Sequence, residues 1–249
     1  MSGTFEETKD RAEKGESEAQ YQLARCYYDE AKRAPKQADR HYATALRWFS
    51  EAAKQGHCLA QSWLGYMYKN GQGVTRGYEQ ALKWYAQAAE QGNIHAQSML
   101  GSMYKNGRGV SRDYEQSLKW LKLAAEQGDS YSQCQVGVAY SRGLGTVRDM
   151  RQAAYWFLKA AEQSEPTAQF NLAPMYFDGV GVERDRVAAY MWATLGIENG
   201  RKTWRHYLGR FNAGLFIGRA GRGEAIRRAA EWKKKKNTVF VLEGTPTPR

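Results

Sequence analysis

Long hydrophobic runs are missing from this chain. No stretch approaches the roughly 20 apolar residues that a membrane-spanning helix requires. Met1 to Asp10 is polar and acidic and lacks the apolar segment of a signal peptide. The sequence therefore predicts a cytoplasmic protein with no transmembrane segment. Cysteine is scarce as well: Cys26, Cys58 and Cys134 form no C-x-x-C pair, and three cannot all pair internally. Free thiols, buried or at the surface, in a reducing compartment are the expectation. The four histidines (His41, His57, His95 and His206) share no spacing, and none lies in an H-E-x-x-H, so they read as surface or capping residues. No Gly-Lys-Ser/Thr follows the glycine-rich stretches, so these are not phosphate cradles. No catalytic constellation emerges. The expectation is a non-enzymatic protein with no catalytic, cofactor-binding or metal-binding residue, and no cofactor.

What the chain does have is a period. Apolar residues make up 42% of its 249 positions, enough to exclude a disordered chain, and much of the aromatic content recurs at fixed spacing. Trp48, Trp84, Trp120, Trp156 and Trp192 stand 36 residues apart. A rare residue at that regularity marks a solenoid, whose units bury their apolar sides only by stacking on one another.

Each unit predicts two helices. The first opens at Ala19, Ala60, Ala96, Ser132 or Ala168, each followed by Gln. Four residues on comes Leu23, Leu64, Leu100, Val136 or Leu172, then a small residue (Ala24, Gly65, Gly101, Gly137 or Ala173), then Tyr27, Tyr68, Tyr104, Tyr140 or Tyr176. Offsets 0, 4 and 8 lie along one helical stripe. Glycine within a helix costs about 1 kcal/mol against alanine, so its recurrence points to a place where packing needs space. A G-x-G-V turn follows at Gly71, Gly107 and Gly179, and nearly so at Gly143. Asp113, Asp149 and Asp185 fall where N-caps of the second helix belong, with Gly77 in that place one unit earlier. The second helix is apolar on one broad face, as in Ala81, Trp84, Tyr85, Ala88 and Ala89, and the five tryptophans are expected to dominate stability. Glu90, Glu126 and Glu162 recur near helix ends as a solvated face, since a catalytic pair is needed once and not in every repeat.

This combination resembles the Sel1-like repeat family over about residues 15–200. A tetratricopeptide array has a 34-residue period and lacks the G-x-G-V turn. The resemblance implies an all-α fold, a right-handed α/α superhelical solenoid of five antiparallel helix pairs. The expected repeats are 16–56, 57–92, 93–128, 129–164 and 165–200, with a capping helix in residues 1–15. Some relatives with a cysteine pair in each repeat are linked to penicillin binding or hydrolysis; this chain lacks those pairs, and that activity does not carry over. Three departures stand out. The first unit is five residues long for the period, with a charged loop over Ala31–Arg40; Pro174 lies inside a first helix, where it should kink it; and Gly196-Ile197 replaces an Ala-Ala pair.

Beyond Gly200 the period stops and the charge changes. Residues 201–236 hold 12 Lys/Arg against Glu224 and Glu231, whereas residues 1–200 hold 24 Lys/Arg against 23 Asp/Glu. Residues 201–236 read as basic capping helices, with Arg201–Arg210 as one short helix and Ala225, Ile226, Ala229 and Trp232 on one side of another. Residues 237–249, with Pro246 and Pro248, read as a disordered tail.

Two surfaces are candidates for function. Positions 3, 6 and 10 after the opening residue of the first helix point away from its core stripe. In the middle units these are Trp63, Tyr66, Asn70, Met99, Ser102, Asn106, Gln135, Val138 and Arg142. On a concave face they would form an aromatic and thioether patch suited to a peptide or helix of a partner protein. The competing environment for Trp63 and Met99 is the neighbouring repeat. By resemblance the chain is an adaptor recruiting another protein in a signalling, envelope or host-interaction pathway. The alternative is a basic patch, Arg219, Arg222, Arg227, Arg228, Lys233, Lys234, Lys235 and Lys236, that binds nucleic acid, an acidic protein or a membrane surface.

Overall fold

The computed structural model describes residues 4–200 and 218–243, giving the backbone alone for residue 219 and residues 235–243. Among the described residues the regular structure is helical, without a strand, and divides into two compact units, residues 1–129 and 130–249. The first unit opens with α1 (Phe5–Glu13). Three pairs follow: α2 (Ser17–Arg33) with α3 (Ala38–Lys54), α4 (Cys58–Asn70) with α5 (Tyr78–Glu90), and α6 (Ile94–Asn106) with α7 (Tyr114–Glu126). The second unit holds α8 (Ser130–Arg142) with α9 (Met150–Glu162) and α10 (Pro166–Asp178) with α11 (Arg186–Asn199), then α12 (Gly218–Glu243). Within each unit, every helix packs against the ones before and after it in the chain.

The helix starts follow the sequence signals. Asp113, Asp149 and Asp185 each accept backbone N–H bonds in the first turn of α7, α9 and α11, while Gly77 leaves α5 without a side-chain cap. The first helices have caps of their own: His57 accepts from the Ala60 N–H at 3.3 Å, and Asn93 from the Ala96 N–H at 2.9 Å. Thr4 and Glu7 close a capping box on α1. In the first unit the extra residues lengthen α2 to Arg33, and a 3-10 turn at Pro35–Gln37 leads into α3.

The turn geometry explains its glycines. Gly107 takes φ +65° just past α6, and Gly109 takes φ +73° with its Cα pressed on the first residue of α5. A Cβ on Gly109 would stand 2.5 Å from the Tyr78 carbonyl. The G-x-G-V turn of one repeat therefore rests on the second helix of the previous one.

The small residue in the first helix makes room for a side chain of the partner helix. A Cβ on Gly65 would lie 2.7 Å from the ring of Tyr85, and one on Gly137 2.7 Å from Phe157. This corrects the ranking of the tryptophans. Trp48, Trp156 and Trp192 are buried, but Trp84 and Trp120 are half-buried, whereas the next residue in each second helix, Phe49, Tyr85, Leu121 or Phe157, is at most 2% exposed. In the middle repeats the residue after the tryptophan, Tyr85, Leu121 or Phe157, is seated over the glycine of the first helix and fills the core.

The glutamine after each opening alanine is buried and paired. Gln20, Gln61, Gln97 and Gln169 donate to the carbonyls of Ala12, Ala53, Ala89 and Ala161, each eight residues earlier, at 3.1–3.3 Å. Their side-chain oxygens accept from the end of the following second helix: from Gln55, Gln91 and Gln127 at 2.7–2.8 Å, and from Asn199 at 3.1 Å. Gln163 donates to Gln133 at 2.8 Å in the same manner. The bond to Ala12 shows that α1 occupies the place of a second helix before the first complete pair.

Some expectations change. Pro174 is exposed and lies within α10, which continues to Asp178. In α12, Ala225 and Ala229 are buried and Trp232 meets Trp192 edge-on at 5.9 Å, but Ile226 is 58% exposed. The buried side is therefore the 225, 229, 232 stripe. The helix runs from Gly218 to Glu243, so residues 237–243, expected in a disordered tail, extend it. The lysine run and the apolar residues after it contain no proline until Pro246 to stop the helix. The short helix expected at Arg201–Arg210 lies outside the described residues.

Candidate functional site

The first helices α4 and α6 lie side by side in the first unit. On their face is a groove of about 390 Å³ lined by Tyr28, Lys32, Leu59, Ser62, Trp63, Tyr66, Asn93 and His95, within the size range of ligand pockets. Three successive repeats contribute: α2 gives Tyr28 and Lys32, α4 gives Leu59 to Tyr66, and the start of α6 gives Asn93 and His95.

Aromatic packing builds its wall. Trp63 lies parallel to Phe49 at 5.7 Å and meets Tyr28 at 4.6 Å and Tyr66 at 5.7 Å. Trp63 packs on the core and also lines the groove. Burial and the neighbouring Tyr66 hydroxyl push the Tyr28 phenol above its ordinary range, so it stays neutral and gives a hydrogen bond to Gln72 Oε1 at 3.2 Å. Leu59, on the rim, is 45% exposed. The cations stand over the rings, Lys32 over Tyr28 at 4.5 Å and Arg25 over Trp63 at 4.8 Å.

Of the nine residues expected on this face, the groove brings together Trp63 and Tyr66. Met99 is half-buried against the Tyr85 core, with its sulfur 3.5 Å from Lys69 Nζ. Asn70 and Asn106 turn their amides back onto the carbonyls of Tyr66 and Ser102. Gln135, Val138 and Arg142 belong to α8 in the second unit, where Val138 packs on the core and Arg142 is exposed. The offsets missed Leu59 and His95, which directly precede the opening alanine in the first turn, and Tyr28, which enters from the preceding repeat.

In the basic patch, α12 spends much of its charge internally. Arg227 pairs with Glu224 and Glu231 at 2.7 Å, Arg228 with Asp185 at 3.0 Å and Glu224 at 2.9 Å, and Lys233 with Glu198. The bonds to Asp185 and Glu198 tie α12 to α11. Arg222 is exposed, Lys234 is exposed with interactions of its own, and the side chains of Arg219, Lys235 and Lys236 lie outside the described residues. Among the described residues, no group of His, Cys, Asp or Glu is arranged to hold a metal ion, and the three cysteines form no disulfide with one another. No described helix is long and apolar enough to cross a membrane.

Stacked antiparallel helix pairs, with one set of caps, turns and buried glutamines recurring along the chain, define a helical repeat protein of the α/α-solenoid class. The Sel1 repeat model matches residues 17–57, 58–93, 94–129, 130–165 and 166–200, and the chain belongs to the Sel1 repeat family. The repeat boundaries fall one residue later than the sequence reading placed them, except for the shared end at residue 200. A Sel1 repeat protein from Oxalobacter formigenes is 26% identical, with a TM-score of 0.69 over 90% of this chain and 89% of that one. A protective antigen present in uropathogenic Escherichia coli strains, also with this fold, is 32% identical with a TM-score of 0.68. The match covers 92% of this chain and 56% of the antigen, so the chain spans little more than half of that protein's length. No curated protein matches the chain. Sel1 repeat proteins generally mediate protein–protein interaction on a scaffold that is generally non-catalytic.

Proposed function

We propose that this protein is a non-catalytic cytoplasmic adaptor that holds a partner protein on the face formed by its first helices, with the groove of the first unit as the principal seat. The observation that carries this reading is the aromatic and aliphatic lining of the groove, in which Leu59 is exposed at the rim, Trp63 and Tyr66 are half-buried and Tyr28 is buried. Large apolar and aromatic side chains gathered in a concavity are what a partner's anchor residue fills. The basic C-terminal helix has a structural use in the ion pairs that dock it on α11, which favours the groove over the patch as the binding element.

A photo-reactive phenylalanine analogue in place of Leu59, and separately in place of the exposed Tyr155 in the second unit, tests the reading in the native cell. Leu59 should give a discrete set of cross-linked proteins, identifiable by mass spectrometry, that the Tyr155 position does not give. Identical sets from both positions would remove the groove as the seat.

A further inference from the structure

The groove carries a charge pattern that narrows its partner. Three of its rings each have a cation beside them: Arg25 at Trp63 (4.8 Å), Lys32 at Tyr28 (4.5 Å) and Lys69 at Tyr66 (5.7 Å). Some exposed cations of the chain are neutralised at close range, such as Lys54 by Glu51 at 2.8 Å and Arg227 by its two glutamates, while others, such as Arg47 on Trp48 at 4.8 Å and Lys159 on Tyr155 at 4.7 Å, rest on rings as these three do. Among the described residues, Lys32 and Lys69 form no ion pair, and Arg25 reaches a carboxylate only at 4.0 Å, on Asp29. Arg25 also has a buried Nε without a hydrogen-bond partner. Lys69 is held below the ordinary lysine range by burial and by the charge of Arg108, so its cation is partly desolvated and lies beside a like charge. These cations have donors to spare, and their aromatic neighbours leave no acceptor of full negative charge.

Resting on the protein-binding reading above, we propose that the groove takes an acidic peptide segment of its partner. An aliphatic or aromatic side chain of that segment enters between Leu59, Trp63 and Tyr28, and its flanking carboxylates lie on Lys32, Arg25 and Lys69. Each cation is already fixed against a ring, so pairing with a carboxylate orders little further side-chain freedom. A single exposed pair contributes little. Three around one apolar anchor give electrostatic complementarity, which selects the partner and speeds its association. A groove of about 390 Å³ with an aliphatic rim suits a peptide side chain better than a phosphodiester backbone, whose recognition needs a continuous basic track.

The test pans a displayed library of random peptides against the full-length chain, then measures selected peptides by fluorescence anisotropy. Selected sequences should be rich in Asp and Glu around an aromatic or aliphatic residue. Their binding should weaken with added salt and fall about tenfold or more in the Lys32→Gln, Lys69→Gln double variant. The Lys32→Glu, Lys69→Glu pair should bind more weakly still, with unchanged helicity by circular dichroism in both double variants. Neutral or basic selected peptides that still lose binding on Leu59→Asp would overturn the acidic assignment and leave the groove as the binding seat. Selected peptides indifferent to Leu59→Asp and to both lysine pairs would overturn the two readings together. A single-stranded poly(U) RNA that displaces an acidic peptide at equal charge concentration, and loses binding in the same lysine variants, would also overturn the assignment, because the groove would then accept polyanions without regard to class.

Discussion

Gln91 donates its side-chain N–H to the side-chain oxygen of Gln61 at 2.7 Å, and Gln61 donates in turn to the carbonyl of Ala53 at 3.3 Å. One buried amide thus joins the end of the previous second helix to the end of its own. A glutamine can do this because it offers donor and acceptor together. Its recurrence after each opening alanine is the polar counterpart of the tryptophan period.

The same device at Gln97, buried between Ala89 and Gln127, sets the first prediction. Gln97→Ala removes two buried hydrogen bonds, although the Ala89 carbonyl keeps the Gly92 N–H and the Gln127 amide keeps the Gly92 and Leu123 carbonyls, so it should cost about 1–2 kcal/mol, read as a lower urea midpoint with unchanged slope. Gln97→Glu keeps the acceptor, loses the donor and buries a charge, so it should be the more damaging change at pH 7. Lowering the pH toward 4.5 should recover part of the loss as the carboxyl protonates and regains a donor. Equal midpoints for the wild type and both variants would mean the ladder contributes no net stability.

Much of this architecture was legible because the buried offsets recur. Alanine, leucine, the small residue and the capping aspartate each stand at a fixed place in the 36-residue unit, so one unit predicts the next. Details that depend on which of two adjacent aromatics faces inward were not legible: Trp84 and Tyr85 are both large and apolar, and only the gap over Gly65 decides that Tyr85 takes the core. The groove was half legible for a related reason. Offsets counted along α4 find Trp63 and Tyr66, but Tyr28 and His95 reach the same space from the neighbouring repeats, and the contact between repeats is set by packing rather than by spacing within one helix.

Trp63 separates fold from function, and the second prediction uses it. Because its ring stacks on Phe49 and Tyr28, Trp63→Ala should cost about 2–4 kcal/mol by leaving a cavity in the first unit. Leu59 faces solvent at the rim, and Leu59→Ser should change stability by no more than about 0.5 kcal/mol while removing a groove contact. Thermal unfolding of the two variants should separate them clearly. Matching losses would show that Leu59 is part of the core and unsuited as a probe of binding.

The third prediction concerns the turn. Both Gly107 and Gly109 have positive φ, but a side chain on Gly107 meets nothing nearer than 3.5 Å, whereas on Gly109 it meets the Tyr78 carbonyl at 2.5 Å. Gly107→Ala should cost about 1 kcal/mol from the backbone conformation alone. Gly109→Ala should cost clearly more, because the turn must lift off the start of α5. Reversal of that order in urea unfolding would show that the turn does not bear on the preceding repeat.

Asp185 couples the last helix pair to α12 and gives that junction a pH dependence. Burial alone would raise its pKa. The N–H groups of Ala188 and Val187, together with the Arg228 guanidinium, outweigh burial and hold the carboxyl below its ordinary range. The folded value lies below the unfolded one, so the stabilisation is complete above the unfolded carboxylate range, about pH 4. It is lost as pH falls through the folded value. The pair is substantially exposed on both sides, which limits the ion-pair part to about 1 kcal/mol or less. Asp185→Asn keeps an acceptor for the start of α11 and should lose only that part, whereas Asp185→Ala should lose the cap as well, about 1 kcal/mol more. Acid titration of stability should therefore be steeper in the wild type than in Asp185→Asn below about pH 4. Superimposable profiles would show that the Arg228 contact does not fasten α12 to α11, and would return the basic residues of that helix to the surface as free charges.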